Sequence, residues 1–420
     1  MIETIELLEG VTLRCVRDDR FKQAALSIQF IRPMCREEVA YNALLSAVLL
    51  RGSRQYPDIR AITNRLDELY GASVGNIVRR VGDYHATGFH FGFLEDRYAL
   101  EEDQILLPMM EMAHDLLRCP VTEKGVFRRD YVEGEKKNLI ATIDAERNDK
   151  RAYAASQMIR HMCREDSFGI PRLGDREAVA AVTPEALYRH YEKILRQSRV
   201  DVFYVGSAAA ETVAEAVRPL FAGLDREAFA LPPQTAYTPV APQEHTEILD
   251  VAQGKLCMGF TTPATLRDPD YVSMQLLNLI FGAGMTSKLF MQVREKLSLC
   301  YDIGSGYHGS KGILAVSAGI DWEQKERVVR EIETQLEHCR RGNITPMELE
   351  AAKQAMFSSL RGVHDSPGSI ESYYSSAALS GMTLTLEQYW QAVADTTVEQ
   401  IAAVARDVRL HTVYFLKGVQ

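Results

Sequence analysis

Leu26-Ser-Ile-Gln-Phe-Ile-Arg-Pro33 and Leu256-Cys-Met-Gly-Phe-Thr-Thr-Pro263 are two copies of one pattern, 230 residues apart. The first alternates apolar and polar positions, as a strand with one buried face must. At the same offset Leu26/Leu256, Phe30/Phe260, Pro33/Pro263, Tyr41/Tyr271, Leu49/Leu279 and Gly52/Gly282 are identical pairs. Each strand leads into an apolar, helix-like stretch that stops at glycine, a common helix terminator. One offset shared by strand, helix and stop marks an internal duplication.

The ends of the halves repeat as well. Thr183-Pro-Glu-Ala-Leu187 predicts a threonine N-cap with Pro184 in the first helical position, and Leu187, Tyr191, Ile194 and Leu195 on one face. A strand over 200–206 follows. Thr397, then Ile401, Val404 and Val408, then a strand over 412–418 repeat that order in the second half. Between the halves, segment 231–243 holds four prolines in thirteen residues, the composition of a semi-rigid linker. The reading is an α+β fold of two homologous αβ domains, 1–230 and 244–420, joined by the linker 231–243. Each is expected to be an antiparallel sheet with helices packed on one face. The longest helices are expected from Val126 to about Asn148 and from Pro346 to about Gly362.

Composition excludes several classes. At 420 residues, 46% hydrophobic and 25% charged, the chain matches average globular usage and not collagen, low-complexity disorder or a disulfide scaffold. No apolar run approaches the roughly 20 residues of a membrane span. The first ten residues carry acids where a signal peptide needs a basic end, so a cytoplasmic, membrane-free protein is expected. A net charge of −9 without a Lys/Arg run argues against a nucleic-acid partner. Seven scattered cysteines without a Cys-x-x-Cys read as reduced thiols.

Four further stretches carry a resemblance. They are Leu49-Leu-Arg-Gly-Ser53, Phe168-Gly-Ile-Pro-Arg-Leu-Gly-Asp175 with Val182-Thr-Pro-Glu-Ala-Leu187, Gly284-Met-Thr-Ser-Lys-Leu-Phe290, and Val293-Arg-Glu-Lys-Leu-Ser-Leu-Cys-Tyr301. In order, on a duplicated frame, they resemble the insulinase-like or pitrilysin zinc metallopeptidases of the mitochondrial-processing-peptidase type, and in particular short bacterial non-catalytic members. The resemblance implies a zinc helix with His-x-x-Glu-His at 43–47, two histidine ligands and a glutamate base. Here those positions read Ala43-Leu-Leu-Ser46-Ala47, and only the later ligand position, near Glu135, keeps a carboxylate. No metal or other cofactor is therefore expected in this chain. The ten histidines offer no second site: His85 and His90, five apart in a strand, point to opposite faces. There is no Gly-x-Ser-x-Gly elbow and no phosphate-binding P-loop.

What the resemblance implies is a non-catalytic subunit of a heterodimeric zinc peptidase, active only with a zinc-bearing homologous partner. It carries two substrate-binding residues onto this chain, Arg294 and Tyr301. A guanidinium can fork onto a peptide carbonyl or carboxylate, and a phenol can donate to a developing oxyanion. On their own, Arg294 reads as a helix-end surface residue and Tyr301 as a core aromatic at a strand start. The stripe Leu289, Phe290, Val293 and Leu297 predicts a helix over 287–297. The alternative is a self-associating peptide-binding or scaffold protein that captures extended peptides by strand addition without hydrolysis. An autonomous zinc peptidase is disfavoured by the missing ligands.

Overall fold

A computed structural model describes residues 2–418. The first half contributes β1 (Ile2–Leu8), β2 (Val11–Arg17), β3 (Gln23–Pro33), β4 (Ser73–Val81), β5 (Tyr84–Leu94), the short hairpin β6 (Thr122–Glu123) and β7 (Val126–Phe127), and β8 (Arg199–Gly206). The second contributes β9 (Gln243–Leu249), β10 (Gly254–Thr261), β11 (Asp302–His308), β12 (Ile313–Ile320) and β13 (Arg409–Gly418). The sheets are ordered β1-β2-β8-β3-β5-β4 and β9-β13-β10-β12-β11. Apart from β1, the two orders match strand for strand. All pairs within these sheets are antiparallel except β2 with β8 and β9 with β13, the equivalent positions in each. The repeated strands sit at the centre: Leu26 lies between Tyr204 and Phe91, Leu256 between Phe415 and Ala318.

Local signals are used as the sequence sets them out. The Thr183 side chain accepts from the Ala186 N–H, with Pro184 opening the helix Pro184–Gln197. Thr397 and Gln400 form a reciprocal capping box at the helix Val398–Arg406. The long helices run Arg129–Asn148 and Pro346–Gly362. The paired glycines are required by close approach: a Cβ on Gly52 would lie 2.6 Å from the Pro57 carbonyl oxygen, and one on Gly282 2.6 Å from Ser305 Oγ. Leu26, Ile28, Phe30, Leu44, Phe89 and Phe91 belong to the main core of the first half, between its sheet and its local helices.

The compact units differ from the sequential division at 230 and 244. One unit comprises 1–144, 172–233 and 363–376; the other comprises 145–171, 234–362 and 377–420. A helix from each half has been exchanged. In the second unit, Ala154, Met158, Ile159 and Met162 of the helix Lys150–Met162 pack on Cys257, Tyr414 and Leu416. In the first unit, Ile370 packs on Phe203 and Val205, and Glu371 accepts from Ser27 Oγ at 2.7 Å and pairs with Arg79 at 3.2 Å. Each sheet thus has a second face covered by one borrowed helix, in addition to its local helices. The physical reason is that both faces of the central strands carry residues that must leave water.

The linker is fixed rather than loose where it meets the second unit. Tyr237 is buried, its N–H donates to the Lys311 carbonyl at 2.8 Å, and its hydroxyl donates to the Met162 carbonyl at 2.8 Å. Lys311 itself, fully buried, donates to Thr235 O and Oγ1 at 3.2 Å and pairs with Asp166 at 3.0 Å. All seven cysteines are free thiols, and burial pushes those of Cys15, Cys257 and Cys339 up to about 12. Among the described residues no helix is long and apolar enough to cross a membrane.

Candidate functional site

The helix Val39–Leu49 is buried on nearly all sides, which its run of Ala, Leu and Val dictates. It places Ala43 and Ala47 one turn apart on one face. That face, together with Asn76 and Val78 of β4, Glu135, Asn138, Leu139 and Thr142 of the helix Arg129–Asn148, and Arg172, walls a cavity of about 340 Å³. Of the residues that resemblance aligns with the zinc motif, Ala43 and Ala47 therefore do come together with Glu135, which lies far along the sequence. The chemistry does not come with them.

Zinc needs lone pairs converging from three or four side chains. Alanine methyls supply none. Ser46 is buried, its hydroxyl has no hydrogen-bond partner, and it lines a separate small apolar pocket with Phe30, Thr87 and Leu195. Glu135 is the one carboxylate in the cavity wall, and it is already engaged. Its Oε1 accepts from Arg51 Nη1 at 3.3 Å and its Oε2 from Asn138 Nδ2 at 3.2 Å. A guanidinium thus balances the charge that a cation would otherwise meet. Among the described residues no three His, Cys, Asp or Glu side chains form a group able to hold a metal. The residues at 43–47 do not fit zinc.

Elemental analysis of the purified chain is accordingly expected to give far less than one zinc per chain. Stoichiometric zinc that disappears in Glu135→Ala would contradict this geometry.

The other sequence-derived residues lie in the second unit. The segment expected to be helical is so over Leu289–Lys296, wound in wide turns in which Leu297 N–H reaches back five residues to the Gln292 carbonyl. Leu289 and Val293 are fully buried; Phe290 and Leu297 are only partly so. The Arg294 guanidinium lies 4.8 Å from the centre of the Phe290 ring and 3.7 Å from Glu295, its side chain 41% exposed. Tyr301 is 55% exposed, and its hydroxyl donates to Asp321 Oδ1 at 3.1 Å. That bond pushes the phenol above its ordinary range, so the proton is retained. A cavity of about 420 Å³ nearby is walled by Gly282–Gly284, Met285, Phe290, Gly304, Gly306 and Arg151, among others, and neither Arg294 nor Tyr301 lines it. The two residues are anchored separately, Arg294 on Phe290 and Glu295 and Tyr301 on Asp321.

Arg51, Asn76 and Asn138 escaped the sequence reading. The one signal for Arg51 was its place in Leu49-Leu-Arg-Gly-Ser53, read there as a landmark rather than as a partner for Glu135.

Residues 181–356 match the family model described as the peptidase M16 inactive domain. The chain is 29% identical over 411 residues to the probable inactive metalloprotease YmfF of Bacillus subtilis, covering 98% of this chain and 96% of that one. It is 25% identical over 326 residues to an uncharacterized zinc protease of Streptomyces coelicolor, covering 75% and 70% of the two chains. Among solved structures, a conserved protein from Enterococcus faecalis superposes with a TM-score of 0.93 at 28% identity, over 100% of this chain and 99% of that one. The peptidase M16 inactive domain from Pseudomonas fluorescens shares the fold, with a TM-score of 0.81 at 18% identity over 100% and 98% of the two chains. With the duplicated αβ architecture, these matches make the chain similar to peptidases of the M16 family, the insulinase-like or pitrilysin group, while its 43–47 face lacks that group's zinc-binding motif.

Proposed function

We propose that the chain is the non-catalytic subunit of a two-chain zinc peptidase in the cytoplasm, holding extended peptides that a homologous zinc-bearing subunit cleaves. The observation that carries this reading is the cavity beside β4. β4 is the last strand of its sheet and has β5 as its one strand neighbour among the described residues, so an extended peptide could add to its far edge. Asn76 and Val78 of the same strand wall the cavity, so a peptide laid on that edge would have a socket for a side chain. In this reading the site holds a peptide, and Ala43 and Ala47 give it no zinc ligands with which to hydrolyse one.

Arg294 and Tyr301 serve the partner in this reading. Both tips are substantially exposed, as groups lent to another subunit must be. Tyr301→Phe removes one hydroxyl from a surface side chain and should change folding stability by less than about 1 kcal/mol. In a complex reconstituted with a zinc-bearing homologue it should lower kcat by roughly 10²-fold, the scale of losing one oxyanion donor. Arg294→Ala should instead raise KM. Unchanged kinetics in both variants at saturating partner would remove the two residues from the reaction. A self-associating protein that only holds peptides needs the β4 edge alone. It is distinguished by peptide binding of undiminished affinity when no partner is present.

A further inference from the structure

We infer that the second unit carries a binding site for a small molecule bearing more than one phosphate group, formed where the helices Lys325–Arg340 and Val398–Arg406 end. This site is independent of the β4 edge. An open hollow of about 510 Å³ is lined there by Glu337, Arg340, Arg341, Arg406 and Arg409. Four guanidinium groups from two helix ends and the start of β13 surround one carboxylate, in a chain whose net charge is −9. The only other carboxylate bonded to these arginines among the described residues is Asp407, 3.5 Å from Arg409 Nη2.

Arginines at helix C-termini have a plain structural role, since the last carbonyls there lack intrahelical partners and attract cations. Part of this cluster plays it. Arg340 donates from Nε to the Ala405 carbonyl at 3.3 Å and from Nη2 to that of Val408 at 2.6 Å. Arg406 Nε reaches the Arg340 carbonyl at 3.4 Å, and Arg409 Nη1 the Val408 carbonyl at 3.2 Å. Capping accounts for those N–H groups and leaves others over. Among the described residues the Arg341 side chain reaches no carbonyl, and its one bond runs from Nε to Glu337 Oε1 at 2.9 Å. Neither Nη group of Arg406 has a bond within the described residues.

The caps also do something for a ligand. They hold three guanidinium planes in place before anything binds, so less side-chain freedom is lost on binding than at ordinary surface arginines. The planar fork matches phosphate oxygens two at a time. A hollow of this size is in the range that takes small molecules and exceeds what a single phosphate fills. Glu337 accepts from Arg341 and from Arg340 Nη1 at 3.3 Å, and so occupies the donors that a phosphate would use. It acts as an internal competitor.

That competition supplies the test. Titration of the full chain with inorganic pyrophosphate at constant ionic strength, followed calorimetrically, should show saturable binding that is stronger than for orthophosphate. Arg341→Gln, on a side chain 67% exposed, should weaken it about tenfold with an unchanged Tm. Glu337→Gln should tighten it several-fold, which a helix-capping role alone would not produce. No saturable binding in either the wild type or Glu337→Gln would overturn the assignment. So would equal affinities in all three proteins, or binding confined to an oligonucleotide polyanion.

Discussion

Acidification from pH 6.5 to about 4 is expected to remove roughly 6 kcal/mol of folding stability through two histidines, His85 and His190. Both are buried in the first unit, 1% and 8% exposed. Burial, reinforced by the nearby positive charges of Arg172 and Arg80 for one and Arg32 and Lys193 for the other, lowers each to about 4 from an ordinary value of 6.5. The unfolded chain therefore takes up two protons near pH 6.5 that the folded chain refuses until about pH 4. Stability falls through that window as pH drops, and is independent of these groups above it. Each histidine contributes roughly 3 kcal/mol, against a typical total of about 5–15. His161, also held below its ordinary value chiefly by burial, acts in the same direction. Glu38 does not share the window: although burial opposes it, bonds from Arg32 and Lys193 lower it to about 2, so its contribution is lost only as pH falls below 4.5 towards 2. Urea midpoints between pH 7.5 and 4 read the effect. His190→Gln, which keeps a donor for Asn42 Oδ1, now 2.7 Å from His190 Nε2, should remove about half of the slope. A wild-type midpoint flat across the window would sink the account.

Lys311→Met should cost about 3 kcal/mol or more, the usual penalty for removing one member of a buried ion pair. All three ammonium protons have acceptors, at Asp166 and at the two oxygens of Thr235. Methionine fills similar volume and leaves the carboxylate and the Thr235 carbonyl without their cation. Asp166 retains some solvent access at 19%, which places the effect at the lower end of the range. Thr235→Val, which removes only a neutral acceptor, should cost about 1 kcal/mol. Because Thr235 and Tyr237 lie in the linker, Lys311→Met should also admit protease cleavage within 231–243 under native conditions. Cleavage no faster than in the wild type, with an unchanged urea midpoint, would show that the linker is held by other contacts.

Much of the fold was legible because short-range chemistry specifies it. The offset from Leu26 to Leu256 became two central strands of matching register, and Thr183 and Thr397 became caps where their hydroxyls could reach the third N–H onward. The emptied zinc helix was legible from five residues, since alanine cannot ligate in any fold. The exchange of 145–171 and 363–376 was not legible. An amphipathic helix advertises an apolar face but not which sheet will receive it, and Ser27 meets Glu371 across 344 positions. The pairing of Arg51 with Glu135 and the meeting of Arg340 and Arg341 with Arg406 and Arg409 are hidden for the same reason. No Lys/Arg run exists in the sequence, yet helix ends about 65 residues apart make one in space.

The exchanged helices also set a timetable for synthesis. The first sheet has all its strands once residue 206 is made, yet the helix for its second face lies in 363–376. At about 5–20 residues per second, that face waits roughly 10–30 seconds for its cover, with Phe203 and Val205 on it. The second unit has the opposite problem: its helix Lys150–Met162 leaves the ribosome long before β10 and β13 exist to receive it. Two apolar surfaces are therefore exposed on the nascent chain at once. A chaperone that binds extended apolar segments would find this protein a client until β13 had been translated.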